Sequence, residues 1–361
     1  MQETIQHSEN RKACAHCGAE LLYKPGSDQL KCPYCGFEAF IEPNRKSFEE
    51  LELEHYLDIT GNHAHTDTIE LLHCKNCGAN QHVEERFKSL HCAYCGEPLI
   101  REDLFREGWV LPGAVVPFQI DHQRAGRIFR DWVRKLWFAP SKLKRAALDP
   151  EAIHGLYLPF WTFDARLDAD YSGERGDYYY VRERYQTSKG TQTRQVRKTR
   201  WRPAVGSVSG FLDDILIQAS QTAGGALPGA VHHWDLSALR PFHSDFLSGF
   251  TTEKYTVSLK EGHQRSFRKA KETAYLWIRR DIGGDDQRIH HADIRLSEET
   301  FKHILLPVYV SSYRYRGKAY RFYVNGQTAQ IHGSRPYSAW KIFLTVLLVL
   351  LLVAVIIWVS Q

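Results

Sequence analysis

All eight cysteines of the chain obey one spacing that occurs twice, Cys14-x2-Cys17-x14-Cys32-x2-Cys35 and Cys74-x2-Cys77-x14-Cys92-x2-Cys95. Four thiolates complete the tetrahedral shell of one metal ion, and a Cys-x-x-Cys turn is the shortest loop that offers it two sulfurs. No cysteine is left over for a disulfide or a nucleophile, so the chemistry on offer is metal binding. The copying extends past the ligands: Gly18-Ala19 matches Gly78-Ala79, Leu30 matches Leu90, Tyr34 matches Tyr94 and Gly36 matches Gly96. The pattern predicts two zinc ions in two copies of one module.

A closed shell of four sulfurs has no position for water, which makes such sites structural rather than catalytic. Each module is too small to fold on a hydrophobic core alone, so binding the ion is folding the module. Two small β zinc ribbons are expected, at residues 11–40 and 71–100, with 41–70 as a linker. Four thiolates also suit a single redox iron, and Cys-Pro-Tyr-Cys-Gly at 32–36 resembles a rubredoxin knuckle; a rubredoxin-like iron redox protein is therefore an alternative. His16, His73 and His91 stand beside ligand positions but are read as neighbours of complete four-sulfur shells.

At the other end, Ile342–Val359 is uncharged and has Thr345 as its one polar member. As a helix it is about 27 Å long, close to the hydrocarbon thickness of a bilayer. Trp340 and Trp358 bracket the run and Tyr337 stands just outside it, where the two interfaces would fall. Residues 340–359 are expected to be a C-terminal transmembrane helix. Arg335 and Lys341 precede it while Ser360 and Gln361 follow, which places the N-terminal bulk in the cytosol. Met1–Lys12 has no apolar stretch of a signal peptide, so the expectation is a tail-anchored, single-pass protein with thiols kept reduced.

Between ribbons and anchor, residues 104–336 read as an α+β cytosolic domain. Helical spacing runs over 123–138 and stops at Pro140. Strands are predicted from Gly155, over 305–310 and over 320–324, with Asn325-Gly326 as a hairpin turn into 327–332. A fainter repeat suggests duplication: Asp121-His122-Gln123-Arg124 resembles Gly262-His263-Gln264-Arg265, and Leu158-Pro159-Phe160-Trp161 resembles Leu306-Pro307-Val308-Tyr309. The formal net charge of +5 falls to about +1 once eight thiolates and two zinc ions are counted, so whole-chain charge says little about partners. Residues 181–203 are strongly basic, with Glu183 the one acid. They read as a polar hairpin or long loop whose Arg194, Arg197, Lys198 and Arg200 would meet an anionic surface, lipid headgroups or nucleic-acid phosphates.

Phosphate-binding loops, zinc-protease and nucleophile-elbow motifs are absent from the sequence, and no enzyme activity is expected. His232-His233, His290-His291, Asp213-Asp214 and Asp285-Asp286 would make a site only if the fold gathered them. Paired knuckles, Gly-Leu-Tyr-Leu-Pro-Phe-Trp at 155–161, Leu-Leu-Pro-Val-Tyr at 305–309, Tyr-Val-Asn-Gly-Gln-Thr at 323–328 and the apolar end together resemble bacterial zinc-ribbon membrane proteins. These go by the names primosomal-helicase-like and TFIIB-type zinc ribbon. In that last motif Ala329 stands where the resemblance leads one to expect glycine. The resemblance implies a bacterial cytoplasmic-membrane adaptor or scaffold that recruits membrane proteins of SPFH or phage-shock type. The alternative from a different class is a membrane-tethered nucleic-acid-binding protein that uses the ribbons and residues 181–203.

Overall fold

The computed structural model describes residues 12–42, 50–59, 66–76, 78–82, 90–92, 94, 97–99, 104–110, 112–140, 153–187, 190–220, 227, 231, 233–315, 318–335 and 337–359. The first cysteine module forms its own antiparallel sheet of β1 (Leu22–Lys24), β2 (Gln29–Lys31) and β3 (Glu38–Phe40). The stretch expected as a linker carries β4 (Leu51–Glu52) and α1 (Leu53–Ile59), and β4 pairs with Thr300 and Phe301. In the second module β5 (Thr66–His73) and β6 (Asn80–His82) form a hairpin, and β7 (Leu90–His91) pairs with β8 (Pro98–Leu99). Strand β9 (Leu104–Val110) then runs back along β5.

Two successive units of the main domain share one order of elements. The first is β10 (Ala114–Val115), α2 (His122–Lys135), β11 (Ile153–Thr187) and β12 (Gly190–Leu212). After β13 (Ile217–Gln218) and β14 (Arg240–Pro241) comes the second: β15 (Thr251–Glu253), α3 (Leu259–Ile282), β16 (Asp286–Tyr315) and β17 (Lys318–Asn325). Each short strand pairs in parallel with the long strand of the other unit, Ala114 with Ile304 and Thr251 with Leu156. The long strands are antiparallel, and Leu158 lies opposite Leu306. The two Leu-Pro segments singled out in the sequence thus face each other across a pseudo-two-fold. The chain closes with β18 (Ile331–Gly333) and α4 (Ala339–Val359).

Strands β11 and β16 are sandwiched where they cross, which explains their continuous apolar runs. On one face Tyr157, Leu305 and Tyr309 join a core with α2 and the first module, including Leu21, Tyr23, Leu30, Phe118 and Phe129. On the other, Leu156, Leu158, Phe160, Ile304 and Leu306 pack with Leu72, Cys74, Cys92 and Tyr94 of the second. The two modules therefore dock on opposite faces of the same two strands. The second is also tied in by backbone, because Thr252 and Glu253 of β15 pair with His82 and Gln81 of β6.

The helices begin and end where their sequence chemistry directs. Asp121 caps α2 by accepting from the Arg124 amide at 2.6 Å, and Arg134 and Lys135 sit in its last turn, complementing the helix dipole. Ser258 caps α3 and Gly283 ends it at φ 64. The buried row of α3 includes Gly262, Ser266, Ala270 and Ala274. These small residues let the helix lie close to the strands; a Cβ on Gly262 would come within 2.8 Å of the Trp161 ring.

One expected strand starts late. Residues 326–330 form a longer turn, and β18 begins at Ile331 rather than 327. The buried Asn325 side chain accepts from the amides of Gln327 and Thr328, each at 2.9 Å, and so holds the wider loop. Ala329 adopts φ 65 there, the left-handed geometry that a glycine takes more easily.

Candidate metal centre and the surfaces around it

The knuckles of the first module are built by the same short hydrogen bonds. Cys14 N donates to Ala19 O at 2.7 Å and Gly18 N to Cys14 O at 2.8 Å; Cys32 N donates to Phe37 O at 2.8 Å and Gly36 N to Cys32 O at 3.1 Å. Gly18 and Gly36 close these turns at φ 73 and 77. The turns bring one sulfur of each of Cys14, Cys17, Cys32 and Cys35 within 4.8 Å of the others. Cys14 Sγ lies 3.4 Å from Cys35 Sγ and Cys17 Sγ 3.5 Å from Cys32 Sγ. The edge of a tetrahedron with bonds of about 2.3 Å is about 3.8 Å, so this donor set fits one four-thiolate ion. Backbone amides of Cys35 and Tyr34 aimed at Cys32 bring its thiol down to about 6, while neighbouring thiols and burial push Cys17 and Cys35 up, so one of these sulfurs is poised toward the thiolate that a metal requires. His16 is not drawn in; its ring packs on Phe37 with centroids 4.4 Å apart.

In the second module Cys77 and Cys95 lie outside the described residues. The described half repeats the knuckle bonds sixty positions on: Cys74 N to Ala79 O at 2.9 Å, Gly78 N to Cys74 O at 2.7 Å and Cys92 N to Glu97 O at 2.8 Å. Gly78 has φ 75, and Cys74 and Cys92 are buried. His73 points to Asn80 Oδ1, with Nδ1 at 2.7 Å. The modules differ most at their matched tyrosines. Tyr34 is 83% exposed and Tyr94 only 2%, its hydroxyl donating to the buried Glu253 carboxylate on β15.

The basic stretch is a hairpin. Strand β16 stops accompanying β11 at the rung Gly176–Asp286, and from there Asp177–Thr187 and Gly190–Arg200 continue as two strands alone, an arm about 35 Å long at about 3.3 Å per residue. Its register divides the four cations singled out in the sequence. Arg194, Lys198 and Arg200 lie opposite Glu183, Tyr179 and Asp177, with Glu183 carboxylate oxygens 3.6 Å from Arg194 and 3.0 Å from Lys198. Arg197 lies opposite Tyr180 on the other face, which it shares with Arg182, Arg184 and Tyr178. Its guanidinium stands 4.2 Å from the Tyr178 ring centre, and this face of the arm carries no acid.

One cluster gathers a sequence-flagged pair with residues that the sequence did not single out. Asp164, Asp213 and Asp214 bring carboxylate oxygens within 4.8 Å, and the Lys302 ammonium already lies among them, 3.7 Å from Asp164, 3.5 Å from Asp214 and 3.0 Å from Glu50. Burial pushes the Asp164 carboxyl up to about 6, against the pull of the Asp214 amide, which donates at 2.6 Å. The group acts as a buried clamp that ties Glu50, ahead of β4, to the sheet. Of the sequence pairs, Asp213-Asp214 reach this clamp; His290 lies 3.6 Å from Glu174, and His232 lies outside the described residues.

Helix α4 is 21 residues long with a mean hydropathy of 3.3 in its most apolar window and is unburied, long and apolar enough to cross a membrane. No family model matches the chain. It is 25% identical over 250 residues, 65% of this chain and 67% of the relative, to the uncharacterized protein YdjG of Bacillus subtilis (strain 168). No solved structure matches it.

Proposed function

We propose that the protein is a membrane-anchored adaptor or scaffold: two zinc-stapled modules brace an interlocked sheet, α4 tethers it by one pass to a bacterial cytoplasmic membrane with the bulk in the cytosol, and the β11–β12 arm recruits protein partners there. The observation that carries this reading is the arm itself. A two-stranded ribbon with solvent on both faces is a poor stability element, and the fold braces its base with α3 while leaving its outer half to face a partner. Zinc is the ion of choice because four closed thiolates suit a structural ion without redox demands. Iron is the remaining possibility, and it would colour the protein where zinc would not.

The test is affinity purification from detergent-solubilised membranes with the full chain and with a chain whose arm is cut back from Tyr178–Thr199 to an Asn-Gly turn. Membrane proteins retained by the full chain and lost with the arm support the reading. Identical retention by both, or no retained protein, defeats it. The acid-free face with Arg182, Arg184, Arg197 and two tyrosines favours a second reading, a nucleic-acid ribbon, since two strands fit the major groove and arginines release counterions at phosphates. Removing those three arginines would then flatten the salt dependence of DNA binding by about three units of slope.

A further inference from the structure

Hydrogen bonds fasten the anchor helix to the sheet domain just past the end of α2, and that place has the chemistry of a bilayer interface. The Lys341 ammonium donates to the carbonyls of Trp137 at 3.2 Å and Ala139 at 2.7 Å, and the Ser338 amide donates to Phe138 O at 2.8 Å. The segment that ends α2 is therefore held against the first turn of α4, one residue before the uncharged run begins at Ile342. Lys341 here neutralises carbonyls just past a helix C-terminus, which leaves other cations to face the surroundings. Arg134 and Lys135, both exposed, lie in the adjoining last turn of α2, with Asp131 3.7 Å from Arg134 as the nearby acid.

Trp137 supplies the second observation. Among the tryptophans whose side chains are described, three are exposed: Trp340 at 67% and Trp358 at 79%, which flank the apolar run, and Trp137 at 73%. An indole left in water beside the hydrogen bonds to the anchor has no packing role, whereas indoles concentrate at the headgroup level of membranes. We propose that residues 134–137 form a membrane foot in which Trp137 enters the headgroup layer and Arg134 and Lys135 meet anionic lipid phosphates. This rests on reading α4 as a membrane span. It also moves the lipid contact away from the basic arm, whose tip lies at the far end of the 35-residue strand β11, about 110 Å along the strand from Ile153. Ile153 is on the anchor side, paired with Ser311.

The experiment uses the full chain with W340F and W358F, reconstituted into phosphatidylglycerol vesicles that contain phosphatidylcholine brominated near the headgroup end of its acyl chains. The foot predicts bromine quenching of tryptophan emission that disappears on adding W137F, and that falls at least twofold with R134Q/K135Q in anionic but not in purely zwitterionic vesicles. Equal quenching with and without W137F overturns the foot, and R134Q/K135Q without effect overturns its anionic-lipid part. Alkaline carbonate extraction of the same vesicles reports on the anchor separately: protein that washes off refutes the membrane span, whereas protein that stays but shows no Trp137 quenching refutes the foot alone.

Discussion

The two cysteine modules share ligand spacing and knuckle hydrogen bonds, yet the fold uses them differently. The first keeps a three-stranded sheet to itself and docks through side chains and a few backbone contacts, such as Tyr23 N to Ser248 O at 3.1 Å and Gly26 N to Phe118 O at 2.8 Å. The second lends β5 and β6 to the thirteen-stranded sheet, so its knuckle turn is also a turn of the main domain. The cysteine spacing is the same in both; the neighbours decide whether a module is an attachment or a structural member. Tyr34 and Tyr94 register that difference in one side chain.

The largest test of the contrast takes the proposed zinc ions away one at a time. Cys14→Ser and Cys74→Ser should each lower the zinc content from two ions to one, by elemental analysis. Structural zinc supplies roughly 10–16 kcal/mol of apparent binding energy in small zinc-finger peptides, so each affected module should unfold. Cys74→Ser should lower the melting temperature of the sheet domain by about 10 °C or more, and Cys14→Ser by less. Equal losses would break the distinction between attachment and member. Next in size, Tyr94→Ala should cost about 3–5 kcal/mol, as large aromatic truncations in cores do, while Tyr34→Ala stays within about 0.5 kcal/mol; urea midpoints of the two variants measure both.

The clamp that pins the segment between the modules gives a pH test. The Asp164 carboxyl is raised in the fold to about 6 from about 3.9 in an unfolded chain, so its contribution is fully present below about pH 4 and lost as pH rises through 6. The loss is at most about 3 kcal/mol. Asp164→Asn should therefore flatten the decline in stability between about pH 4 and pH 7, and an unchanged slope would remove Asp164 as its source. The smallest effects concern backbone. Gly18 and Gly78 share left-handed φ values and have no atom within 4 Å of a built Cβ, so alanine at either should cost about 1 kcal/mol, equally in both modules. Ala329→Gly should return a similar amount.

What was legible in the sequence follows from what is local. Cysteine spacing, the knuckle glycines, the apolar run and the helix over 123–138, seen as His122–Lys135, each rest on residues a few positions apart. Asn325 marked a real turn, but its side chain holds a loop of five residues rather than a tight hairpin, a choice made by hydrogen bonds that spacing does not display. The lengths of β11 and β16 were hidden because their outer halves alternate charged and small residues over α3 instead of presenting an apolar run. The partnership of β6 with β15, the Lys302 clamp and the Trp137 contact with Lys341 join positions far apart in the chain, and nothing in the local pattern announces them.

The interlocking of the two units has a consequence for how the chain is made. Strand β10 can meet Arg240 and Pro241 on one edge but waits for Ile304 and Leu305 on the other, and at about 5–20 residues per second their synthesis follows by roughly 10–40 seconds. Throughout that interval the edge of β11 that β16 will cover stays open, rich in aromatic and branched residues, a state that invites misassembly. The sheet closes only as residues 304–310 emerge, shortly ahead of the apolar helix. Shielding of the nascent chain therefore has to cover an unfinished sheet and a strongly apolar helix in succession, and a chaperone that releases too early would lose the protein to aggregation.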